Sequence, residues 1–182
     1  QLPKAGISGA WTTQSLAAAA VGVDPDGAPL VNKSFSDPDL HLLTKAILGS
    51  CDALDGLTDG IVGNYAACQS VFDPSTALNP ETGQPLLCTG AKTDDCLSVV
   101  QLDAIKRAMS GPVDTASNPL YNKWPWDAGM SGLNGTTYFQ GWRSWWLGSY
   151  GSSTNNAQRV NGSSARSWLV DFATPPEPVP LN

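Results

Sequence analysis

The stretch Cys51-Asp52-Ala53-Leu54-Asp55-Gly56-Leu57-Thr58-Asp59-Gly60-Ile61-Val62 places three carboxylates within eight residues, with a glycine directly after two of them. Such a density of negative charge repels itself unless a cation sits among it. No lysine or arginine lies within five residues on either side, Lys45 being the nearest. A hard dication suits the position, because calcium takes oxygen ligands from carboxylates and backbone carbonyls. Asp55-Gly56 and Asp59-Gly60 supply turns that can curl the chain around an ion. The spacing is not that of an EF-hand, which needs alternating ligands and a closing glutamate. The competing reading is two Asp-Gly turns in a surface loop.

The remaining chemistry is sparse. His41 is the only imidazole, and no Gly-x-Ser-x-Gly elbow occurs. A Ser-His-Asp arrangement needs a histidine at the site, and His41 sits in an ordinary helical pattern, so no complete triad is expected within these 182 residues. Aromatic residues concentrate instead between Trp142 and Phe172: Trp142, Trp145, Trp146, Tyr150, Trp168 and Phe172, interleaved with Arg143, Arg159 and Arg166. One reading is a tryptophan-rich core with arginine stems packed over it. The other is an aromatic-walled cleft in which a guanidinium holds a carboxylate. Asn32, Asn134 and Asn161 open glycosylation triplets, which matter only in a eukaryotic source.

Four cysteines, at 51, 68, 88 and 96, form no CxxC pair. With a single histidine, zinc is not expected. An even count in a chain with 18 glycines and 14 prolines points to two disulfides and an oxidising compartment, secreted or periplasmic. Of three possible connectivities, sequence proximity favours Cys51–Cys68 and Cys88–Cys96. The net charge of −6 argues against nucleic acid as a partner, and no apolar run approaches a membrane span. The first residue is Gln1, with no signal-peptide pattern, so the chain is expected to be processed or cut from a longer one.

The elements that must position these residues follow from caps and periodicity. Lys4 to Val21 carries a helical, alanine-rich run ended by Asp24-Pro25-Asp26-Gly27. Ser36-Asp37-Pro38-Asp39 is a helix start with a cap and two acids at the positive end of the dipole. Leu40, Leu43 and Ile47 share one face, and Gly49 is expected to stop that helix before the aspartate loop. Residues 63–97 read as irregular. Ser98-Val99-Val100-Gln101 is a capping box opening a helix with Leu102, Ile105 and Met109 buried, stopped by Gly111-Pro112. Residues 120–138 are expected to hold short strands or a ribbon. Helical spacing returns from 139 on. The chain thus divides into N-terminal helices (1–50), a calcium and disulfide region (51–97), a helix with short strands (98–138), an aromatic substrate-facing region (139–174) and an extended proline-rich linker (175–182). The expected class is α+β, mainly helical with short strands and long irregular loops.

The run Cys51 to Ile61, followed by Cys68, Phe72-Asp73-Pro74 and Cys96-Leu97-Ser98 with Gln101, resembles the lid domain of the tannase and feruloyl esterase family. The blocks 1–16, 32–36, 141–149 and 164–172 extend that resemblance along the whole chain. It implies a lid inserted in an α/β-hydrolase, here without its hydrolase core. That core would carry the catalytic serine, aspartate and histidine, so no catalytic residue is expected in this chain. The resemblance further implies calcium bound by the carboxylates of Asp52, Asp55 and Asp59 and the carbonyls of Leu57 and Ile61, and the same two disulfides. In the binding region it implies that Trp145 lines the substrate ring. Arg159 would grip a free carboxylate, with Ser164 beside it and Phe172 as a further wall. Ser163 stands where the resembled pattern has a phenylalanine over the ring. Serine cannot stack, so an aromatic clamp worth about 1 kcal/mol is missing there. The implied partners are the catalytic core and a small aromatic ester or terephthalate. The implied activity is serine-type hydrolysis by the parent enzyme, with none in this chain alone. A free-standing secreted, calcium-stabilised binding module is the alternative from another class.

Overall fold

Ser36 starts the central helix α2 (Asp37–Cys51) as its sequence predicts. Its hydroxyl accepts the Asp39 N–H, and the Asp39 carboxylate accepts the Ser36 N–H at 2.9 Å, a reciprocal capping box. The computed structural model describes residues 2–131 and 141–153. Around α2 lie α1 (Leu2–Ala17), the short α3 (Tyr65–Val71) and α4 (Val99–Ser110). Helix α1 packs on α4, and α2 packs on α3 and on the turn Ala128–Met130. Leu40, Leu43 and Ile47 of α2, Leu102, Ile105 and Met109 of α4, and Leu16, Phe35, Phe72, Trp126 and Leu147 share one core. No helix among the described residues is long and apolar enough to cross a membrane.

Several expectations are corrected. Helix α1 ends at Ala17 rather than Val21, because Ala18, Ala19 and Ala20 donate three residues back and tighten the chain into a turn. Helix α2 runs past Gly49 to Cys51, whose buried sulfur is bonded to Cys68. Residues 63–97 are not wholly irregular. Asn64 accepts the Ala67 N–H and caps α3, which the disulfide ties to the end of α2. Among the described residues, strands are reduced to isolated bridges, Val23 with Pro29, Leu78 with Pro85, Leu87 with Leu97 and Val113 with Pro119. Residues 120–131 form no ribbon. Pro125 brings no N–H, and the Trp124 N–H goes to the Met109 carbonyl at the end of α4. The rest of that expected ribbon, 132–138, lies outside the described residues.

Both expected disulfides are present, Cys51–Cys68 and Cys88–Cys96. The capping box of α4 also forms, and it does more than cap. Gln101 accepts the Ser98 N–H, while its amide donates to the Ser34 carbonyl at 3.0 Å and to the Asp39 carboxylate at 2.8 Å. Lys92, four residues from Cys88 and Cys96 alike, pairs with the same carboxylate at 2.6 Å. One buried aspartate therefore joins two helix starts and the second disulfide loop.

At the surface, Asp73 takes the Ser75 N–H at 2.9 Å and lies 3.2 Å from Lys106. The backbone hydrogen bond first, then Lys106, hold its carboxyl below the ordinary 3.8. A depressed carboxyl stabilises the fold at neutral pH and loses that contribution as pH falls through its folded value. Both partners are nearly half exposed, so the contribution is under about 1 kcal/mol. The expected outcome of Asp73→Asn is a slightly lower melting temperature at pH 7 and no difference from wild type at pH 2, read by thermal melts.

Candidate functional site

Helix α2 positions both candidate regions. Its C-terminal end runs into the aspartate loop, and its N-terminal end holds the turn that carries Trp145. Fifteen residues separate the two regions by about 20 Å of helix.

The aspartate loop begins as a tight turn, Asp52–Asp55, closed by Gly56 at φ 94°. Its carboxylates brace the loop against its own amides. Asp52 accepts from Asp59 N–H at 3.2 Å and Gly60 N–H at 3.1 Å. Asp55 accepts from Leu57 N–H at 2.9 Å and Gly63 N–H at 3.0 Å, and Asp59 from Ile61 N–H at 3.1 Å. Gly63 leaves the room that the Asp55 carboxylate uses, since a Cβ there would lie 2.1 Å from it and make that side chain move. None of the three aspartates pairs with a lysine or arginine among the described residues. Nor do three acidic, thiol or imidazole groups converge into a ready cage among them. The side chains of Leu57 and Ile61 face solvent, 61% and 60% exposed, whereas Val62 is buried and pins the loop to the core. The loop is thus an unneutralised run of carboxylates, oxygen donors of the type calcium takes, held by the loop's own amides and not drawn together.

The aromatic region resolves into two kinds of tryptophan. Trp142 and Trp146 pack against the core, and Trp146 meets Trp124 edge to face at 5.4 Å. Trp145 faces outward, 52% exposed. The separation follows from the wide helical turn Arg143–Leu147, closed by Gly148 N–H on the Arg143 carbonyl five residues back. Leu147 is fully buried, and Tyr150 is exposed beside the cationic groups of Lys33 and Arg143. The core reading therefore holds for Trp142 and Trp146, and Trp145 alone of the three is free to meet a ligand.

Arg143 is a buried anchor rather than an exposed clamp. It is 5% exposed and pairs with Asp37 at 2.6 Å, with further bonds to the carbonyls of Asn32 and Phe35. Asn32 is fully buried and donates to the carbonyls of Ser149 and Ser152 at 2.8 and 2.9 Å. Its burial removes it from glycosylation in this fold. In the sequence, Asn32 reads as the start of a sequon and of a block of the resemblance, and Arg143 as one of three arginines that either pack as stems or hold a carboxylate; neither reading joins them into a cluster. Its sole sequence signal was an arginine between tryptophans with an acidic helix start elsewhere. Arg159, Ser163, Ser164 and Phe172 lie outside the described residues.

The profile described as "Tannase and feruloyl esterase" matches residues 10–170. The chain belongs to the tannase and feruloyl esterase family. It is 77% identical over 181 residues to the mono(2-hydroxyethyl) terephthalate hydrolase of Piscinibacter sakaiensis, covering all of this chain and 30% of that protein. It is 31% identical over 97 residues to a probable feruloyl esterase of Arthroderma benhamiae, covering 53% of this chain and 17% of that one. The crystal structure of feruloyl esterase B from Aspergillus oryzae matches 93% of this chain and 28% of its own, with a TM-score of 0.55 at 16% identity, which shows a shared fold. The chain spans less than a third of the length of the curated relatives it matches.

Proposed function

We propose that this chain is the substrate-binding, calcium-binding lid domain of a serine ester hydrolase. The parent enzyme would cleave aromatic monoesters such as mono(2-hydroxyethyl) terephthalate to terephthalate and ethylene glycol. The observation that carries this reading is the 77% identity along the whole chain to the hydrolase of that substrate. The outward Trp145 beside an inward Trp146 supports it, because a ring platform needs one aromatic held by the core yet left uncovered. Face-on or offset contact of an indole with a terephthaloyl ring contributes about 1 kcal/mol beyond area burial. Arg159 would take the free carboxylate in a bidentate, charge-assisted pair. Ser163 and Ser164 would line the site beside it, and Phe172 would close the far wall. With serine at 163, the ring has one aromatic partner fewer, which favours looser selection among aromatic acids.

The catalytic serine, its histidine and its acid would come from an α/β-hydrolase core, against which this domain would form the roof of the site. The expected outcome of an assay with mono(2-hydroxyethyl) terephthalate is turnover by the chain in its natural full-length context and none by residues 1–182 alone. Hydrolysis by the purified 182-residue chain would contradict the lid reading.

Calcium would be held by the carboxylates of Asp52, Asp55 and Asp59 and the carbonyls of Leu57 and Ile61. Bound there, it would neutralise the loop and clasp the end of α2, with no part in bond breaking. Each carboxylate has about four lone-pair sites, so the amide bonds it accepts leave room for a metal. An ion that binds only the folded state stabilises it. At a hundredfold excess over Kd, chelation is expected to lower the melting temperature by about 5–10 °C. Asp55→Asn should reduce that shift, and a melt indifferent to both calcium and chelator would remove the metal. Secretion to an oxidising compartment accords with the two disulfides and belongs to the same proposal.

A further inference from the structure

We infer that the triad of buried Asn32, buried Arg143 and half-exposed Asp37 is a positioning device that sets Trp145 for ligand, an inference that rests on Trp145 being the ring platform.

The turn that carries Trp145 is short and is gripped on both sides by polar contacts of distant residues. At its start, the Arg143 guanidinium is spent on three acceptors from another part of the chain: the Asp37 carboxylate and the carbonyls of Asn32 and Phe35. After its end, the buried Asn32 amide holds the carbonyls of Ser149 and Ser152. Asn32 thus meets both sides of the turn, accepting from Arg143 through its carbonyl and donating through its side chain. Gly141, at φ 61°, enters the turn against backbone so close that a Cβ would lie 1.7 Å from the Gly129 carbonyl. The entry to the turn has no room to shift sideways.

These contacts span more than a hundred residues of sequence, so local helix formation does not account for them. Nor is apolar packing alone sufficient. Trp146 and Leu147 fix the inner face of the turn, but a packed face still permits rotation and sliding of the outer one. A planar guanidinium with three acceptors in one fork defines orientation as well as distance. Lysine carries its three N–H donors on one compact, rotatable nitrogen that cannot span acceptors set around a planar fork, so it leaves the turn freer to rotate. A ligand-facing aromatic displaced by even an ångström loses most of its oriented contact. The triad is therefore placed to act on recognition through Trp145, not by touching ligand. Arg143 itself is buried, and Asn32 fully so.

The test is a double-mutant cycle in the natural full-length protein, with terephthalate as the probe and calorimetric Kd as the readout. Trp145→Ala is expected to weaken binding roughly tenfold and Arg143→Lys roughly fivefold, while the double variant should bind no worse than Trp145→Ala alone. Steady-state kinetics should show the same Arg143→Lys change in KM, with kcat within about twofold. Multiplied losses in the double variant would overturn the positioning role while leaving Trp145 as the platform. An unchanged Kd for Trp145→Ala would remove both. If Arg143→Lys does not fold, Asp37→Asn serves in the same cycle. It keeps an acceptor at the half-exposed end of the ion pair and weakens its charge, and the same two outcomes decide.

Discussion

Replacing Asp39 by alanine is expected to destabilise the fold by about 3–5 kcal/mol, as much as truncating a large buried core side chain. The side chain is 4% exposed and meets three donors. It closes the capping box of α2 through the Ser36 N–H, receives the Gln101 amide from the start of α4, and pairs with Lys92 beside the second disulfide. Truncation therefore removes a cap, worth about 1 kcal/mol, and leaves buried donors without an acceptor. Lys92, with its side chain one-third exposed, can turn to water, which places the expected loss toward the lower end of that range. Asp39→Asn preserves an acceptor for Ser36 but presents an amide donor or a neutral oxygen to Lys92, and should cost about half as much. His41→Ala, two residues along the same helix on its exposed face, should stay within about 0.5 kcal/mol of wild type. Urea titrations at pH 7 measure all three, and a loss below 1 kcal/mol for Asp39→Ala would contradict the three-way junction.

Opening the first disulfide is the second large effect. Cys51 and Cys68 are 17 residues apart, and the bond between them closes the aspartate loop into a ring. Loop-closure entropy gives about 3 kcal/mol for a ring of this size. Both sulfurs are buried in the shared core, so the double variant Cys51→Ala, Cys68→Ala also loses packing at the end of α2. Helix α3 has only seven residues and is too short to persist without its tether. The expected result is a loss of 3 kcal/mol or more by urea titration, together with weaker calcium protection of the melt. Loss of stability with the calcium response intact would show that the ring closes the fold but does not organise the proposed metal site. Removing Cys88 and Cys96 should cost less, because eight residues separate them and Lys92 with Asp39 still holds that loop to α2.

What was legible in the sequence was local. Ser36 and Ser98 announce helix starts because capping is a contact within four residues: the Ser36 cap and the Ser98 box form as read, and Asp39 completes a second box at Ser36. The disulfide pairing followed from short separations. The two Asp-Gly turns of the aspartate loop formed at Gly56 and Gly60, both at positive φ. What joins the two caps was not legible. Gln101 reaches Asp39 across 62 residues, and a capping glutamine carries no local sign of a second partner. The helix after Asn64 was missed although asparagine is a good cap, because seven residues are too few to show a period. The tryptophan spacing gave the helical turn but could not say which ring points out. That is decided by Arg143 and Asn32, whose partners lie more than a hundred residues away. Over 120–131 the expected ribbon gives way to irregular chain, where Pro125 brings no donor.

The proposed lid function is tested most directly by titrating terephthalate into the natural full-length protein, wild type and Arg159→Ala, at neutral pH and fixed ionic strength. Loss of a charge-assisted bidentate pair predicts at least a tenfold weaker Kd for the variant, with the melting temperature unchanged. Equal affinity in the two proteins would take Arg159 out of the site and contradict the assignment of this domain as the carboxylate-binding roof of an aromatic esterase.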